Sequence, residues 1–289
     1  MKLACFSRDG GSQLGLVDEA VAALHPIDAP TRDMVELIET FDTLAASLKP
    51  QGEALPLAAV RLLAPIPAPR RNIFCVGKNY REHAKEFAGS GYEAGAVKGA
   101  EIDAFPAVFT KPGSAVVGPD ATVQLHSHVT SAVDYEAELA LVIGKAGRDI
   151  DPGRAYEHVF GYTIVNDVTA RDRQRNHKQW FMGKALDTFC PMGPWITTAD
   201  EVEPENLQVR CWVNGELRQD ANTRDLLFDI PTLIATISAG LTLRPGDVIA
   251  TGTPAGVGLG FDPPRFLKAG DEVTISITGL GTLTNRFEA

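Results

Sequence analysis

The chain has 289 residues, of which 44% are hydrophobic and 22% charged, and its formal net charge is -10 at pH 7. This composition is typical of a globular protein with a sizeable core, and the negative charge disfavours nucleic acid as a partner. No apolar run approaches the roughly 20 residues of a membrane-spanning helix, so we expect no membrane partner.

The N-terminal residues and the cysteines point to a reducing compartment. The start "MKLACFSRDGGSQ" has no apolar segment of the secretory type, so we expect a cytoplasmic protein. The four cysteines match no CxxC spacing, which indicates reduced thiols in or near the core rather than a zinc finger or a disulfide scaffold; they are Cys5, Cys75, Cys190 and Cys211. The composition therefore favours a small-molecule partner.

Residues 1–65 predict a small α/β N-terminal domain. The stretches "KLACFS" and "LGLVDE" have strand patterns, and "TRDMVELIETFDTLAASL" has helical spacing. The Pro-rich run "LAPIPAPR" that follows predicts a linker. We therefore expect a second domain over residues 66–289.

The rest of the chain predicts a β-rich α+β domain. "RNIFCVGKNYREHAKEF" predicts a strand, a turn at Gly77 and a helix. From residue 107 strand patterns dominate, each bounded by Gly, Pro, Asp or Asn, and only "DIPTLIATISAGLTL" clearly has helical spacing. Many strands and dense turns favour sheets that pack or curl around each other over an alternating βαβ fold.

The stretch "VDYEAELALVIG" places Glu136 and Glu138 on one face of a predicted strand, roughly 6.6 to 6.8 Å apart along it. Two carboxylates beside an apolar core need water or a cation, and Mg²⁺ prefers such oxygen ligands. The alternative is the solvated face of a one-sided strand. Asp167, at the end of the predicted strand "YTIVND", supplies a third carboxylate and favours a metal cage.

A second candidate group lies in "GKNYREHAKEF". His83 and Glu86 are i, i+3 neighbours on a predicted helix, a spacing that lets a carboxylate orient an imidazole for proton transfer. The alternative is a pair on a helix surface. Lys184 lies among apolar and Gly residues, where a lysine needs an acid or a substrate anion; otherwise it extends its amine to the surface.

Two further patterns are weaker. His126 and His128 form an HxH in a polar, loop-like stretch without a third ligand at zinc spacing, so we expect them to be exposed. "GTPAGVG", residues 252–258, lacks the GK[ST] ending of a phosphate loop. It predicts a tight turn that brings backbone N–H groups and Thr253 close to a ligand.

Taken together, ordered blocks over roughly residues 70–289 resemble the fumarylacetoacetate hydrolase family. They are "FCVGKNYREHAKE", "PAVFTKPGSAVVGP", "DYEAELALVIGK", "GYTIVNDVTARDRQ", "KALDTFCPMGPWI", "VNGELRQDANTRDLLFDIPTLIATIS" and "LRPGDVIATGTPAGVG". Residues 1–65 are similar to the small N-terminal domain of the longer members. The resemblance implies a mixed β-sandwich roll and a homodimer.

The resemblance also implies roles for individual residues. Glu136, Glu138 and Asp167 would hold Mg²⁺ or Mn²⁺, His83 and Glu86 would activate water, and Lys184 would be the active-site lysine. The positions that would contact substrate are Thr253, Lys78 and Tyr80. Arg171 and Gln174 match positions that contact substrate or help to hold the catalytic loop. Lys78 stands where many members carry Leu or Arg in the "G-x-NY" turn, so its contacts are expected to differ.

The implied activity is cleavage of a C–C bond in a 2,4-diketo acid, such as an acylpyruvate or fumarylpyruvate. The same groups serve a 2-hydroxyhepta-2,4-diene-1,7-dioate isomerase or a decarboxylase of oxaloacetate or 5-oxopent-3-ene-1,2,5-tricarboxylate. A non-catalytic metal-binding dimer is the alternative from a different class. The Gly- and Ala-rich residues 88–105 are predicted to be a lid that orders over substrate, or else an idle loop.

Overall fold

The computed structural model describes residues 1–8, 10–31, 33–88, 90–92 and 103–289. Helices are few in this part of the chain: α1 Met34–Leu44, α2 Arg81–Ala88, α3 Arg171–Asn176, α4 Phe181–Lys184 and α5 Ile230–Ser238. Short 3₁₀ turns cover Ala45–Ser47, Leu57–Ala59, Gly113–Ala115, Pro152–His158, Ala199–Glu201, Pro204–Asn206, Thr223–Asp225 and Gly258–Gly260. None of the described helices is long and apolar enough to cross a bilayer.

Strands carry the architecture. They are β1 Lys2–Arg8, β2 Gly11–Asp18, β3 Ala23–Pro26, β4 Leu55–Pro56, β5 Arg61–Leu62, β6 Ile73–Gly77, β7 Ala107–Lys111, β8 Val116–Val117, β9 Val123–Gln124, β10 Val133–Asp134, β11 Ala137–Ile143, β12 Val159–Asn166, β13 Thr169–Ala170, β14 Cys190–Thr198, β15 Gln208–Val213, β16 Glu216–Asn222, β17 Val248–Ala250, β18 Glu272–Ile277 and β19 Gly281–Glu288.

Two large sheets form the body of the protein. The first has 12 strands in the order β4-β3-β2-β1-β14-β12-β11-β17-β6-β7, with β5 beside β1 and β8 beside β14. The second has five strands in the order β16-β15-β18-β19-β9, and β10 pairs with β13 in a separate ribbon. The predicted β-rich α+β fold is confirmed.

Strand β11 lies at the centre of the first sheet, between β12 and β17, and all seven of its residues are buried. Leu139 and Leu141 point into the core shared with the five-stranded sheet and α5. Ala140 and Val142 belong to a second core that contains the apolar face of α1. A one-sided strand with a solvated face, the alternative reading of this stretch, is therefore wrong.

The N-terminal segment is built into the first sheet. In α1 the capping residue Asp33 accepts hydrogen bonds from the backbone N–H groups of Val35 and Glu36 at 2.8 and 3.0 Å, which satisfies donors that a helix start leaves unpaired. Strand β1 pairs antiparallel with β14, so that Lys2 lies opposite Thr197. The run "LAPIPAPR", predicted to be a linker, is packed, with Ala64 and Ile66 buried.

Candidate metal centre and active site

Three carboxylates meet where β11 begins and β12 ends. Glu136 immediately precedes β11, Glu138 is its second residue, and Asp167 immediately follows β12. Because the two strands run antiparallel, with Ala137 opposite Asn166, the start of one lies beside the end of the other. One ligand oxygen from each carboxylate lies within 4.8 Å of the others, and all three residues are buried. We call these three residues the carboxylate cluster.

The backbone before β11 breaks from the strand, contrary to the continuous strand predicted over residues 133–144. Glu136 donates its N–H to Asn166 Oδ1 at 3.0 Å, and its carbonyl accepts from Asp167 N–H at 2.9 Å. Glu138 Oε2 accepts from Gly252 N–H at 2.9 Å. The cluster is therefore assembled by hydrogen bonds among three segments of the chain rather than by alternation along one continuous strand.

Buried cations surround the cluster. Lys184 Nζ lies 2.7 Å from both Glu136 Oε2 and Asp167 Oδ2, and Arg171 Nη1 lies 2.7 Å from Glu136 Oε1. Lys111, which has no exposed side-chain surface, places Nζ 2.7 Å from Asp167 Oδ1 and donates to the Val168 carbonyl at 2.9 Å. These pairs offset part of the cost of burying the carboxylates.

The surroundings shift the pKa values of the two glutamates of the cluster in opposite directions. Burial alone would raise the pKa of Glu136, but Lys184 and Arg171 hold that pKa well below its usual value. Burial and the negative charges of Asp167 and Glu136 raise the pKa of Glu138 far above its usual value. Glu138 therefore lacks a sufficient cation of its own.

The residues of the cluster fit a divalent metal ion. Three carboxylates offer the hard oxygen ligands that Mg²⁺ and Mn²⁺ prefer, and the repulsion felt by Glu138 calls for added positive charge. Asp167 Oδ1 is buried and accepts no well-oriented hydrogen bond despite its nearness to Lys111. Within the described ranges, this is the one group of three or more His, Cys, Asp or Glu side chains close enough to share an ion.

The His83–Glu86 pair forms on α2 as its spacing predicts. His83 Nδ1 lies 3.1 Å from Glu86 Oε2, and Glu86 Oε1 accepts from Gly256 N–H at 3.0 Å. Gly260 packs directly against this carboxylate, because a Cβ there would come within 1.7 Å of Glu86 Oε1. Both ends of the Glu86 carboxylate are thus held, which fixes the imidazole beside it.

The turn after β17 braces β11 from the other side. Thr253 Oγ1 donates to the Ala137 carbonyl at 3.0 Å and accepts from Gln219 Nε2 at 2.8 Å. Gly252 has a φ of +106°, and a Cβ there would meet the Cβ of Asn79 at 2.7 Å. The predicted tight turn is present, and its threonine holds the strand that carries Glu138.

One pocket collects most of the predicted site residues. It is lined by His83, Lys184, Glu136 and Glu138 together with Lys78, Arg171, Gln174 and Thr253. An apolar wall is made by Trp180, which stacks edge-on with Phe109 and Phe87 at centroid distances of 5.3 and 5.9 Å. The imidazole, the carboxylates and three cationic side chains therefore face a common space.

Three predicted residues lie outside the lining of this pocket. Asp167 and Glu86 lie behind it, in contact with Lys184 and His83 respectively. Tyr80 lines a separate cavity of about 660 Å³ with Pro254, and burial raises the pKa of its hydroxyl, helped by the charge of Glu138. Residues 93–102, most of the predicted lid, lie outside the described part of the chain.

Several residues of the site are not predicted by any pattern in the sequence. Asp134 accepts hydrogen bonds from Arg171 Nε at 2.8 Å and from the N–H groups of Gly258 and Leu259 at 2.6 and 3.1 Å. Lys111 and Gln219, described above, have no local signal either. His126 lies against Phe189 and its Nε2 is 2.9 Å from the Asp187 carbonyl, so it has a structural contact rather than a metal-binding geometry.

The family model described as fumarylacetoacetate (FAA) hydrolase C-terminal matches residues 72–288. The chain belongs to the fumarylacetoacetate hydrolase family. Residues 1–65 match a second model, described as Rv2993c-like, N-terminal, so this chain is a member of the longer, bacterial type. Members of the family are enzymes.

Three relatives show the range of activity in this family. Oxaloacetate tautomerase YisK of Bacillus subtilis is 54% identical over 232 residues, covering 80% of this chain and 74% of that protein. The 2-hydroxyhepta-2,4-diene-1,7-dioate isomerase of Mycobacterium marinum is 38% identical with a TM-score of 0.78, covering 100% and 98% of the two chains. The maleylpyruvate hydrolase of Sphingobium sp. SYK-6, solved with manganese(II) and pyruvate, is 36% identical with a TM-score of 0.79, covering 100% and 99%.

Proposed function

We propose that this family member catalyses keto–enol proton transfer on a 2-oxo dicarboxylic acid of the oxaloacetate type, with a divalent metal ion bound. The observation that carries the proposal is that His83, the glutamates of the carboxylate cluster and three cationic side chains line one pocket. The tautomerase relative supports the reaction class. Glu136, Glu138 and Asp167 would hold Mg²⁺ or Mn²⁺, which when bound supplies Lewis acidity toward the 2-oxo group.

In this reaction His83 moves the proton. It takes a proton from carbon 3 of the keto form, the C–H electron pair becomes the carbon 2–carbon 3 double bond, and the carbonyl pair moves to oxygen. Protonation of that oxygen gives the enol, and the reverse steps return the keto form. Glu86, 3.1 Å from His83 Nδ1, orients the ring for this proton transfer.

Arg171 would hold the carboxylate next to the 2-oxo group. Its side chain is 1% exposed and lines the pocket, yet Nη2 donates no hydrogen bond to any described residue. A buried guanidinium N–H without an acceptor is costly. A substrate carboxylate would satisfy it in the planar geometry that arginine favours.

The test follows the ultraviolet absorbance of enol-oxaloacetate with Mg²⁺ or Mn²⁺ present, against the uncatalysed rate. The wild type is expected to accelerate ketonisation, and His83→Ala to lose about 100-fold or more of kcat while metal affinity is kept. Lys85→Met, on the exposed side of α2, is the matched control and should behave as wild type. Full activity in His83→Ala would refute the role of the imidazole.

C–C hydrolysis of a 2,4-diketo acid is the second candidate, favoured by the His83–Glu86 pair, which suits activation of water. His83 would take a proton from water, hydroxide would attack the distal carbonyl, and an acid and an enolpyruvate product would separate. The relative described as a maleylpyruvate hydrolase supports this candidate. A panel of acylpyruvates, fumarylpyruvate, dienol-dioates and oxaloacetate separates hydrolase, isomerase, decarboxylase and tautomerase.

Two further parts of the proposal concern assembly and metal. A homodimer is expected, and light scattering coupled to size-exclusion chromatography measures it. Calorimetric titration with Mg²⁺ and Mn²⁺ determines which ion binds more tightly. Metal binding without turnover of any panel substrate would favour a non-catalytic metal-binding protein.

A further inference from the structure

Lys78 occupies an unusual position at the active-site pocket. It follows β6 in the turn before α2, with a φ of +55°, in the left-handed region that few residues other than glycine adopt. Such backbone conformations persist where the surroundings impose them and are common at functional sites. The side chain is 9% exposed and lines the pocket.

The other pocket-lining cations are committed to carboxylates of the site. Arg171 pairs with Asp134 and Glu136, and Lys184 bridges Glu136 and Asp167. Removing either cation from these buried partners would leave an uncompensated charge. Their positions are therefore set by the protein rather than by the distal end of a substrate.

Lys78 has a different kind of partner. Its ammonium pairs with Asp103, whose side chain is 23% exposed and does not belong to the carboxylate cluster. Among the described cations that line the pocket, Lys78 is the one whose carboxylate partner retains access to water. Asp103 can therefore give up this ion pair and be solvated at modest cost.

We infer that Lys78 determines specificity by binding the distal carboxylate of the substrate, and that Asp103 occupies the same ammonium until the substrate replaces it. The inference rests on the proposed function and narrows it to dicarboxylates. The carboxylate beside the 2-oxo group goes to Arg171, and the second carboxylate exchanges with that of Asp103. A monocarboxylic 2-oxo acid leaves the Lys78–Asp103 pair in place, and Lys78 then contributes nothing to its binding affinity.

Binding of malate and lactate to the Mn²⁺-loaded protein tests the inference by calorimetry. These 2-hydroxy acids differ by the distal carboxylate and cannot undergo the keto–enol reaction. Lys78→Met is expected to weaken malate binding about 10- to 100-fold, the usual loss for a hydrogen bond to a charged group, with lactate unchanged. Asp103→Asn removes the internal competitor and is expected to tighten malate binding about two- to fivefold.

Lys85→Met is the matched control and should leave both affinities unchanged. Equal weakening of malate and lactate in Lys78→Met, or no change in either, would overturn the inference, as would wild-type protein that binds malate no more tightly than lactate. The outcome is separable from the proposed function. If oxaloacetate is not turned over but malate binding still depends on Lys78, the proposed keto–enol reaction is wrong, whereas the role of Lys78 in binding the distal carboxylate is supported.

Discussion

Asp134 and Arg171 form a fully buried ion pair, with Asp134 Oδ2 2.8 Å from Arg171 Nε. The same carboxylate accepts N–H hydrogen bonds from Gly258 and Leu259, next to Gly256, which holds Glu86. Asp134 therefore joins Arg171, the proposed ligand of the substrate carboxylate, to the turn that holds Glu86 of the proposed proton-transfer pair.

Asp134→Asn is expected to lower kcat/KM about 10- to 100-fold, with both a higher KM and a lower kcat, because Arg171 and Glu86 lose their common support. Steady-state kinetics on the substrate found in the panel measures this. Asp247→Asn is the matched control, since Asp247 is also buried and accepts from Arg71 Nε at 3.0 Å and Arg244 N–H at 2.7 Å. A fall in thermal stability without a kinetic change in Asp134→Asn would show a structural role only.

Glu138→Gln is expected to weaken Mn²⁺ binding by about 100-fold or more, because an amide replaces a charged ligand in a site of three carboxylates. Calorimetry measures the affinity, and the wild-type melting temperature should rise with added Mn²⁺ whereas that of the variant should not. Glu157→Gln, which alters an exposed glutamate paired with Arg154, serves as the control. Wild-type affinity in Glu138→Gln would remove this residue from the metal site.

Gly260→Ala is expected to abolish most of the proton-transfer activity while leaving the fold almost as stable. The new Cβ would come within 1.7 Å of Glu86 Oε1, so the end of this long side chain must move and release His83. Kinetics should show a loss of about 100-fold, and thermal unfolding a shift of only a few degrees. Gly153→Ala, where the nearest atom is 3.1 Å away, is the control. Unchanged activity in Gly260→Ala would mean that Glu86 does not need this position.

The cysteines are expected to be inert in the native protein. All four are buried, and burial raises the pKa of the Cys190 thiol to about 12 from its ordinary value of 9.0. The folded state thus keeps the proton, and the associated stability is present below pH 9 and is lost as the pH rises toward 12. At pH 8 a disulfide reagent should react only as the protein unfolds.

Val129→Cys provides the comparison, because Val129 is 38% exposed and a thiol there should react at once. Rapid labelling of the wild type without denaturant would contradict the burial of these thiols. The measurement is the absorbance of the released thiolate with and without urea.

Local patterns predict the strand, turn and helix over residues 71–87, because the change from strand to helical spacing is encoded in neighbouring residues. The sequence also predicts that Glu136 and Glu138 lie together, although the strand is interrupted between β10 and β11, where Glu136 donates its N–H to Asn166 Oδ1. The contact of Lys111 with the carboxylate cluster could not be predicted from the sequence. A lysine that ends an edge strand is ordinarily solvated, and its burial depends on Asp167, 56 residues away.

Other features depended on long-range pairing that leaves no local signal. Strand β14 contains Pro191, Gly193 and Pro194, residues that disfavour a strand interior, yet it is fully buried between β1 and β12. Its partner β1 lies almost two hundred positions earlier in the chain. The Pro-rich run predicted to be a linker follows β5, which pairs with β1, and its Leu63 donates to the Cys5 carbonyl at 2.8 Å, so it too is packed through contacts with residues far away in the sequence.

Because α1 and β11 share one apolar core, the back of the strand that carries Glu138 is covered by the N-terminal segment. A protein begun at residue 66 would expose this surface directly behind Glu138, a proposed metal ligand whose geometry must hold to within about 0.5 Å. Substitutions in α1, although far from the pocket, would therefore change the affinity of the proposed metal site. Sequence changes in the N-terminal segment could in this way adjust the activity of the site without altering any residue that lines it.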